Sequence, residues 1–333
     1  MSVVYKKLED VCEILDSRRV PITAKDRKAG TYPYYGANGL QDYVADYIFD
    51  DELVLLAEDG GNFGSKERPI AYRVSGKCWV NNHAHVLKAK SNMHVDYLCY
   101  ALMFYDTEGL VNGATRQKLT QAAMRQMVIP YRDMTEQLQI IKKISQIVRS
   151  IEKRKEELQL LDQLVKSRFI ELFGDPIKNT QHRPTTAFVN VVTMQRGFDL
   201  PVQDRAQSGN IPVFGSNGVL DHHDQAKACI GGVITGRSGT IGKVFYTKGA
   251  YWPLNTTLFS VDTHENNIIY LAHLLRMFNL ARFTEGTGVP TLNRNKFHSA
   301  PIIDVPIDEQ NQFAAFVEQT DKSKLCGKME VAA

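Results

Sequence analysis

The sequence lacks any segment suited to crossing or entering a membrane. Its 333 residues contain no run of 18 apolar residues and no basic start followed by a long apolar stretch. These absences argue against a transmembrane helix and a secretory signal, and they predict a cytoplasmic protein with no membrane partner. The five cysteines have no C-x-x-C pair, which is typical of reduced thiols rather than of a disulfide or zinc framework. They are Cys12, Cys78, Cys99, Cys229 and Cys326.

Motifs for catalysis are absent as well. There is no Asn-Pro-Pro-Tyr or Asp-Pro-Pro-Tyr motif for amino-methyl transfer to adenine, and no glycine-rich strand-turn-helix for S-adenosylmethionine. The one Asp/Glu-x-Lys triplet, residues 26–28, has no Pro-Asp to complete a nuclease core, and no Gly-x-Ser-x-Gly elbow occurs. The sequence therefore predicts no catalytic residues.

Two patterns could suggest ligand sites, and both fall short. The histidines of residues 83–85 and 222–223 lack a nearby Cys or Glu arrangement, so core or surface histidines are favoured over metal ligands. Residues 236–242 place five residues between their end glycines, where a nucleotide-binding P-loop has four, and Val244 follows Lys243 instead of Ser or Thr. We therefore predict neither a metal site nor a nucleotide site.

The most prominent feature present is one long helical pattern. Residues 135–173 carry apolar side chains every three or four positions, with no Gly or Pro among them. Asp133 and Glu136 form a capping box at the start of this segment, and Gly174 followed by Pro176 supplies a stop signal. The sequence therefore predicts a single long helix, with a core helix of one large domain as the alternative.

The heptad pattern of this helix predicts a coiled coil. All d positions are apolar, whereas the a positions become polar at Lys155 and Asp162, so the apolar seam is narrow. The side chains predicted to contact a partner helix are Ile141, Ile144, Val148, Ile151, Leu158, Val165, Phe169 and Leu172.

An internal repeat flanks the long helix. Residues 32–40 match residues 211–219 at an offset of 179 positions (215 − 36), around an aromatic-Gly-x-Asn-Gly or closely similar loop. The two tryptophans, Trp79 and Trp252, each precede an Asn by three residues and lie 173 positions apart (252 − 79). The same offset of 173 relates residues 113–119 to 286–292 and 136–137 to 309–310. Four landmarks in the same order indicate a duplicated domain.

The length of the chain and its pattern of short strand-like runs and helical segments predict an α+β protein with two repeated domains. A chain of this length predicts about two domains, and 43% hydrophobic with 23% charged residues is ordinary for globular proteins. We expect a first domain at residues 1–132, the long helix at 133–175, a second domain at 176–305 and a C-terminal helix at 306–333. That helix should start near Asp308, and its periodicity fades after Cys326, so we expect it to be about half as long as the first.

These features together resemble one protein family. The duplicated domain, the aromatic-Gly-x-Asn-Gly loop, the segments 236–243 and 286–293, Pro306 before Glu-Gln, and the helix ending at 172–176 resemble the specificity subunit of type I restriction-modification systems. The resemblance implies two target recognition domains, each reading half of a split double-stranded DNA site, with the helices setting the spacing. It also implies two methyltransferase subunits docked on the helices, with restriction subunits completing the complex. S-adenosylmethionine, ATP and Mg would then belong to those partners, and this chain would need no cofactor.

Polar loops in both repeats supply candidate DNA contacts. Asn and Gln can pair with adenine and Arg with guanine, whereas Lys and glycine-rich backbone more often contact phosphate. The candidates in the first repeat are Asn38, Gln41, Asn62, Lys66, Arg116, Gln117 and Lys118. Those in the second are Asn217, Arg237, Ser238, Thr240, Lys243, Thr291, Asn293, Arg294 and Lys296. The alternative for each is a turn or solvated loop residue without a contact role.

Three functional hypotheses follow. The first is a non-catalytic DNA-recognition subunit with two unlike half-sites, because the two repeats differ at nearly every loop position. The net charge of +3 permits nucleic acid as a partner without demanding it. The second hypothesis is a self-contained methyltransferase or nuclease, which the missing motifs disfavour. The third is a coiled-coil scaffold with two protein-binding domains and no DNA function, which the repeat alone leaves open.

Overall fold

The computed structural model divides the chain into two compact units, Met1–Ser150 and Ile151–Ala333. It describes residues 3–113, 116–206, 209–286 and 290–332, with side chains as far as residue 325. The predicted landmarks Ala114, Thr115 and residues 287–289 lie outside the described residues. Among the helices that are described, none is both long enough and apolar enough to cross a membrane.

Unit 1 is a mixed domain built mainly of strands. Its strands are β1 (Val4–Lys7), β2 (Cys12–Ile14), β3 (Ala29–Gly36), β4 (Gly39–Val44), β5 (Phe49–Ala57), β6 (Ala71–Val80), β7 (Ala84–Ala89), β8 (Val111–Asn112), β9 (Lys118–Leu119) and β10 (Val128–Tyr131). Its helices are α1 (Leu8–Val11), α2 (Val95–Met103), α3 (Gln121–Gln126) and the first part of α4 (Met134–Phe173).

A six-stranded sheet in the order β2-β7-β5-β6-β3-β4 forms the centre of unit 1. The second half of β5 is buried on both faces, because apolar residues run without interruption from Leu53 to Ala57. β3 lies parallel to β6, with Tyr34 opposite Trp79, while most other strand pairs are antiparallel. This arrangement carries the loops after β3 and β5, which hold three of the seven candidate DNA contacts of the first repeat, Asn38, Asn62 and Lys66.

Unit 2 contains the remaining elements. Its strands are β11 (Thr185–Ala187), β12 (Thr193–Arg196), β13 (Ile211–Gly215), β14 (Gly218–His223), β15 (Gly232–Gly236), β16 (Val244–Thr247), β17 (Trp252–Pro253), β18 (Thr257–Asp262), β19 (Thr284–Glu285), β20 (Thr291–Leu292) and β21 (Pro301–Ile303). Its helices are the second part of α4, α5 (Phe188–Val191), α6 (Ile268–Phe278), α7 (Arg294–His298) and α8 (Ile307–Ala332).

The sheets of unit 2 repeat the topology of unit 1 and confirm the duplication. One sheet has the order β12-β18-β15-β16 and a second has the order β14-β13-β17. β13 lies parallel to β17 with Val213 opposite Trp252, as β3 lies parallel to β6 with Tyr34 opposite Trp79. The single long strand β6 corresponds to two strands here, β16 and β17, so the one sheet of unit 1 becomes two sheets in unit 2.

The long helix α4 begins one residue earlier than the sequence pattern and ends where the pattern predicts. The Asp133 carboxylate accepts the N–H of Glu136 at 2.9 Å, which satisfies a free donor of the first turn. Gly174 follows the helix with a positive φ of 76°, a conformation that glycine adopts without steric cost.

The repeated Glu-Gln pair has a structural role at the start of α4 and α8. The Gln137 side chain is buried and accepts the N–H of His94 at 2.8 Å. The Gln310 side chain is also buried, and it accepts the N–H of Asn267 at 2.9 Å and donates to the carbonyl oxygen of Val305 at 2.8 Å. Gln137 therefore fastens α4 to His94, the N-cap of α2, and Gln310 fastens α8 to Asn267, the N-cap of α6.

Within unit 2, α8 packs antiparallel against the second part of α4. The rings of Phe169 and Phe173 lie 5.5 Å and 5.6 Å from that of Phe313. Further along, Lys324 of α8 forms an ion pair with Asp162 of α4 at 2.7 Å. The helical backbone of α8 continues to Ala332, past Cys326, where the apolar periodicity of the sequence fades. Backbone hydrogen bonding and ordinary helix propensity continue a helix without an apolar stripe.

Candidate nucleic-acid interface

Three loops of unit 1 that carry candidate DNA contacts lie together. The exposed Asn38 side chain, at the tip of the β3–β4 hairpin, donates to the carbonyl oxygen of Gly60 at 3.0 Å. The N–H of Gly60 donates in turn to the carbonyl oxygen of Gln117 at 3.2 Å. These bonds join the hairpin tip, the glycine-rich loop after β5 and the segment before α3 into one surface, which we call loop cluster 1 (residues 38–41, 58–66 and 116–118).

The other candidates of loop cluster 1 differ in their contacts. Gln41 is exposed and accepts from the side chain of Asn81 at 3.1 Å. Asn62 donates to the carbonyl oxygen of Pro69 at 3.4 Å, so its amide stabilises its own loop. Lys66 is exposed on the same loop.

Two of the three cations of loop cluster 1, Arg116 and Lys118, are held by carboxylates. Arg116 forms an ion pair with Asp59 at 2.7 Å, and Asp59 also contacts Nδ1 of His83 at 2.7 Å. Lys118 forms an ion pair with Glu58 at 3.1 Å. The neighbouring carboxylates therefore partly cancel the positive electrostatic potential of Arg116 and Lys118.

Behind these ion pairs lies a buried polar network that the sequence patterns did not reveal. Nδ1 of His85 contacts Asp16 at 2.7 Å, and Nε2 of His85 contacts the carbonyl oxygen of Leu119 at 2.9 Å. The Arg19 guanidinium lies 2.6 Å from Glu58 and 3.5 Å from Asp16. Burial tends to raise the pKa of Asp16, but hydrogen bonds and the neighbouring cations outweigh it and lower that pKa. Burial likewise tends to raise the pKa of Glu58, and Arg19 with Lys118 lowers it.

This network accounts for the histidine pattern without a metal. Asp16, Glu58 and His85 bring potential ligand atoms within 4.8 Å of one another, which is close enough for a metal site. The Arg19 guanidinium contacts both carboxylates and so supplies the positive charge that a metal ion would bring. The residues present therefore fit an internal ion network around His85.

Unit 2 presents the corresponding loops, which we call loop cluster 2 (residues 217, 237–243 and 291–296). Nζ of Lys243 donates to the side-chain oxygen of Asn217 at 2.6 Å, joining the hairpin tip to the glycine-rich loop. Ser238 forms a β-bridge with Thr291, joining that loop to the segment before α7. Thr240 lies half-buried in the same glycine-rich loop.

The segment of residues 293–296 is ordered by one carboxylate. Glu285 accepts from the side chain of Asn293 at 3.1 Å and forms an ion pair with Lys296. The hydrogen bonds from Lys296 and Asn293 lower the pKa of Glu285. Arg294 is exposed and donates to the carbonyl oxygen of Met194 at 3.4 Å.

Glu58 has a defined backbone position in unit 1. Its N–H donates to the carbonyl oxygen of His83 at 2.9 Å, and its own carbonyl oxygen accepts the N–H of Leu119 at 2.7 Å. Glu58 therefore joins the end of β5 to the turn before β7 and to β9.

Arg237 holds the same backbone position in unit 2. Its N–H donates to the carbonyl oxygen of Thr256 at 2.8 Å, and its carbonyl oxygen accepts the N–H of Leu292 at 2.8 Å. Thr256 and Leu292 lie 173 positions after the partners of Glu58, and Arg237 lies 179 positions after Glu58, which are the two offsets of the repeat. Glu58 and Arg237 are therefore structural equivalents. Applying the offset of 179 to the sequence beyond residue 40 would have identified this pair.

Unit 2 also contains a cleft of about 390 Å³ beside Arg237. Its described lining includes Arg196, Leu258 and Arg294 together with several candidate contacts. Arg196 ends β12 opposite Leu258 and was not among the sequence candidates. Leu258 lies 173 positions after His85 and is therefore its equivalent in the repeat. Arg196 lies opposite Leu258, so it occupies the position that Asp16 occupies beside His85 in unit 1.

The residues predicted for the coiled coil differ in exposure along α4. Val165 and Phe169 are buried in the core of unit 2, and Leu172 packs against that core. Ile141 packs partly buried against the core of unit 1, and Ile144, Ile151 and Leu158 are half-buried. Val148 is 39% exposed, so the seam is open at that position. Pairing of the whole seam with a partner helix stays a prediction.

The two loop clusters and their shared topology define a protein with two recognition domains built on one mixed fold. The chain matches the family described as type I restriction modification DNA specificity domain over residues 2–161 and 190–327. The chain therefore belongs to this family, and it carries two target recognition domains with a long helix between them.

Individual relatives are similar to the chain in sequence, and solved structures are similar to it in fold. A putative type I restriction enzyme specificity subunit from Haemophilus influenzae is 26% identical, covering 95% of this chain and 87% of that protein. A putative type I specificity subunit from Mycoplasma pneumoniae is 20% identical, covering 96% and 89%. The fold is similar to the crystal structure of the type I restriction-modification S subunit from M. genitalium, with a TM-score of 0.65, 13% identity and coverage of 100% and 92%. It is also similar to a chain from a structural study of type I R-M system assembly, with a TM-score of 0.57, 14% identity and coverage of 99% and 93%.

Proposed function

We propose that this chain is the non-catalytic DNA-recognition subunit of a type I restriction-modification complex. It binds a bipartite, asymmetric site in double-stranded DNA, with one half-site per recognition domain. The observation that supports this most directly is the duplicated loop cluster. Each copy joins a hairpin-tip Asn, a glycine-rich loop and a polar segment before a short helix into one surface.

The contrast between the clusters supports unlike half-sites. In loop cluster 1, Arg116 and Lys118 pair with Asp59 and Glu58. Loop cluster 2 has Ser238 and Arg237 at the positions of these two acids. Sequence readout depends on the side chains that meet the bases, so clusters that differ in charge and side chains select different sequences. Each mismatched base pair costs about 1–3 kcal/mol of binding free energy. The specificity of the whole site is therefore the sum of what the two domains recognise in their half-sites.

The partners and cofactors belong to the same proposal. Two methyltransferase subunits dock on the helices α4 and α8, and restriction subunits join that assembly in the cytoplasm. The exposed apolar side chains of α4, including Ile147 at 60% and Leu160 at 54% exposure, are available for such docking. S-adenosylmethionine, ATP and Mg act on the partner subunits, and the long helix fixes the number of unspecified base pairs between the half-sites.

The test is methylome sequencing of cells that carry the chain with its neighbouring methyltransferase. We expect methylation at a split motif with a fixed spacer, and its loss when the chain is deleted. Two charge-reversal variants sharpen the test. Arg116→Glu should weaken methylation through the half-site of unit 1, and Arg237→Glu through that of unit 2.

The matched control is Lys178→Gln, which removes an exposed cation outside both loop clusters. This variant should methylate as the wild type does, which separates a loop-cluster effect from a general loss of positive charge. Methylation that persists unchanged after deletion of the chain would overturn the proposal and favour a scaffold without a DNA function.

A further inference from the structure

One pair of equivalent sites in the two units has opposite charge. In unit 1 the site is formed by Asp16, Glu58 and His85, and the Arg19 guanidinium contacts both carboxylates. The anionic groups of this site thus have a cationic counter-ion from their own chain. A buried carboxylate pair needs such a partner, because an uncompensated buried charge is strongly unfavourable.

In unit 2 the equivalent site is an open cationic cleft. Arg196 and Arg237 stand at the positions of Asp16 and Glu58, and Leu258 replaces His85. Arg294 adds a third guanidinium to the cleft wall. The charge of the site is therefore inverted between the two copies of one fold.

The cleft lacks the internal counter-ion that its equivalent possesses. Glu285 is the only acidic residue among the described residues that line the cleft, and it is already paired with Lys296. The Arg196 and Arg237 side chains make no hydrogen bond or ion pair with residues 3–113, 116–206, 209–286 or 290–325. An external anion would therefore complete this site, as Arg19 completes the site in unit 1.

The backbone holds one of these arginines in place. The Arg237 backbone is held by two hydrogen bonds, one that its N–H donates and one that its carbonyl oxygen accepts, and the side chain is half-buried. Gly239, two residues later, has a positive φ of 78°, which shapes the loop beside it. The backbone is therefore ordered at Arg237, and its half-buried guanidinium has paired donors that match phosphate geometry.

We propose that this cleft binds a phosphate group through the guanidinium groups of Arg196 and Arg237. The inference deepens the proposed function, on which it rests when the phosphate belongs to the backbone of bound DNA. A free phosphate or a nucleotide offers the same chemistry, and the experiment distinguishes these sources. The described residues of unit 1 form an anionic site at the equivalent position, so we assign the phosphate to the recognition domain of unit 2.

The first arm measures binding of the full chain to duplex DNA between about 50 and 200 mM salt. The variants are Arg196→Gln, Arg237→Gln and Arg237→Lys, with Lys178→Gln as the matched control. Each Arg→Gln variant should reduce the slope of log K against log salt by about 0.9, the value for one phosphate contact, and should weaken binding about threefold. Arg237→Lys should keep the slope, because it keeps the charge, and Lys178→Gln should match the wild type.

The second arm measures thermal stabilisation of the full chain by inorganic phosphate and by a nucleoside triphosphate, without DNA. Stabilisation that is lost in Arg237→Gln, with an unchanged DNA salt slope, supports a phosphate site that serves a free ligand. A salt slope that falls in Arg237→Gln, with no loss of phosphate stabilisation, supports a phosphate of the DNA backbone. Wild-type slopes in both variants together with no phosphate stabilisation would overturn the site.

A change of base preference in Arg237→Gln with an unchanged slope would also overturn the site, because the arginine would then read a base. If the wild-type chain binds no DNA with or without its methyltransferase, the proposed function fails. The phosphate arm still tests the cleft in that case.

Discussion

The Arg19 guanidinium lies 2.6 Å from the Glu58 carboxylate, and both side chains are mostly shielded from solvent in unit 1. The same guanidinium lies 3.5 Å from Asp16, which is buried. Arg19 therefore compensates the negative charge of both carboxylates. An apolar side chain in place of Arg19 would leave that charge without this counter-ion.

The first prediction concerns this arginine. Arg19→Met keeps much of the side-chain volume and removes the charge, so Asp16 and Glu58 lose their shared counter-ion. We expect the free energy of unfolding of unit 1 to fall by about 3 kcal/mol, measured by denaturant unfolding of the full chain. The neighbouring Arg18→Met is the matched control, since Arg18 is exposed, and it should cost about 1 kcal/mol or less. Equal losses in the two variants would contradict the structure.

The second prediction is an acid dependence of this network. The pKa values of Asp16 and Glu58 are lowered in the folded state from ordinary values of 3.8 and 4.5. Their contribution to stability is therefore complete above those ordinary values and is lost as the pH falls through the lowered values. We expect Glu58→Gln to be less stable than the wild type at neutral pH, and the difference between their Tm values to shrink below about pH 4.5.

The control for this pH series is Glu67→Gln, which changes an exposed carboxyl in the same unit. Its Tm should follow that of the wild type throughout the series. A difference between Glu58→Gln and the wild type that grows on acidification would refute the assignment.

The sequence predicted the features that leave a repeated or periodic trace. The duplication was visible from residues 32–40 and 211–219, because turn glycines and buried aromatics recur where the backbone geometry recurs. Helix α4 was predicted within one residue, because its pattern is long and its cap and stop signals are local.

The charged network of unit 1 left no such trace. Asp16, Glu58 and His85 are distant along the chain, and they meet only because β2, β5 and β7 are neighbours in one sheet. Loop contacts such as Arg116 with Asp59 likewise depend on side-chain placement that no spacing encodes. The fading periodicity after Cys326 does not mark the end of α8, which continues to Ala332, since helix propagation needs no apolar stripe.

The third prediction tests the packing of α4 within unit 2. The Phe169 ring lies 5.5 Å from Phe313 and 6.0 Å from Tyr270, and it is fully buried. Phe169→Ala should leave a cavity and lower the free energy of unfolding by about 3–5 kcal/mol. The adjacent Ile170 is 36% exposed, so Ile170→Ala should cost about 1 kcal/mol or less. Thermal unfolding of both variants provides the comparison, and similar losses would argue against the burial of Phe169.

The fourth prediction concerns the restraint on Arg116 in loop cluster 1. Asp59 contacts this guanidinium at 2.7 Å, so it competes with DNA phosphate for the same donors. Asp59→Asn removes the competing charge and releases Arg116. We expect affinity for non-specific duplex DNA to rise roughly threefold at about 0.1 M salt, with a steeper salt dependence.

Asp106→Asn is the control for this prediction, because Asp106 is an exposed acidic residue of unit 1 outside loop cluster 1. Its effect on DNA affinity should be small, since screening weakens charges that lie beyond about 10 Å of the bound phosphates. Binding titrations of the full chain at several salt concentrations decide the matter. If Asp59→Asn binds DNA no more tightly than Asp106→Asn, then Asp59 does not restrain Arg116. The carboxylate would then position the guanidinium for contact, and its removal should lower affinity for the specific site while leaving non-specific binding unchanged.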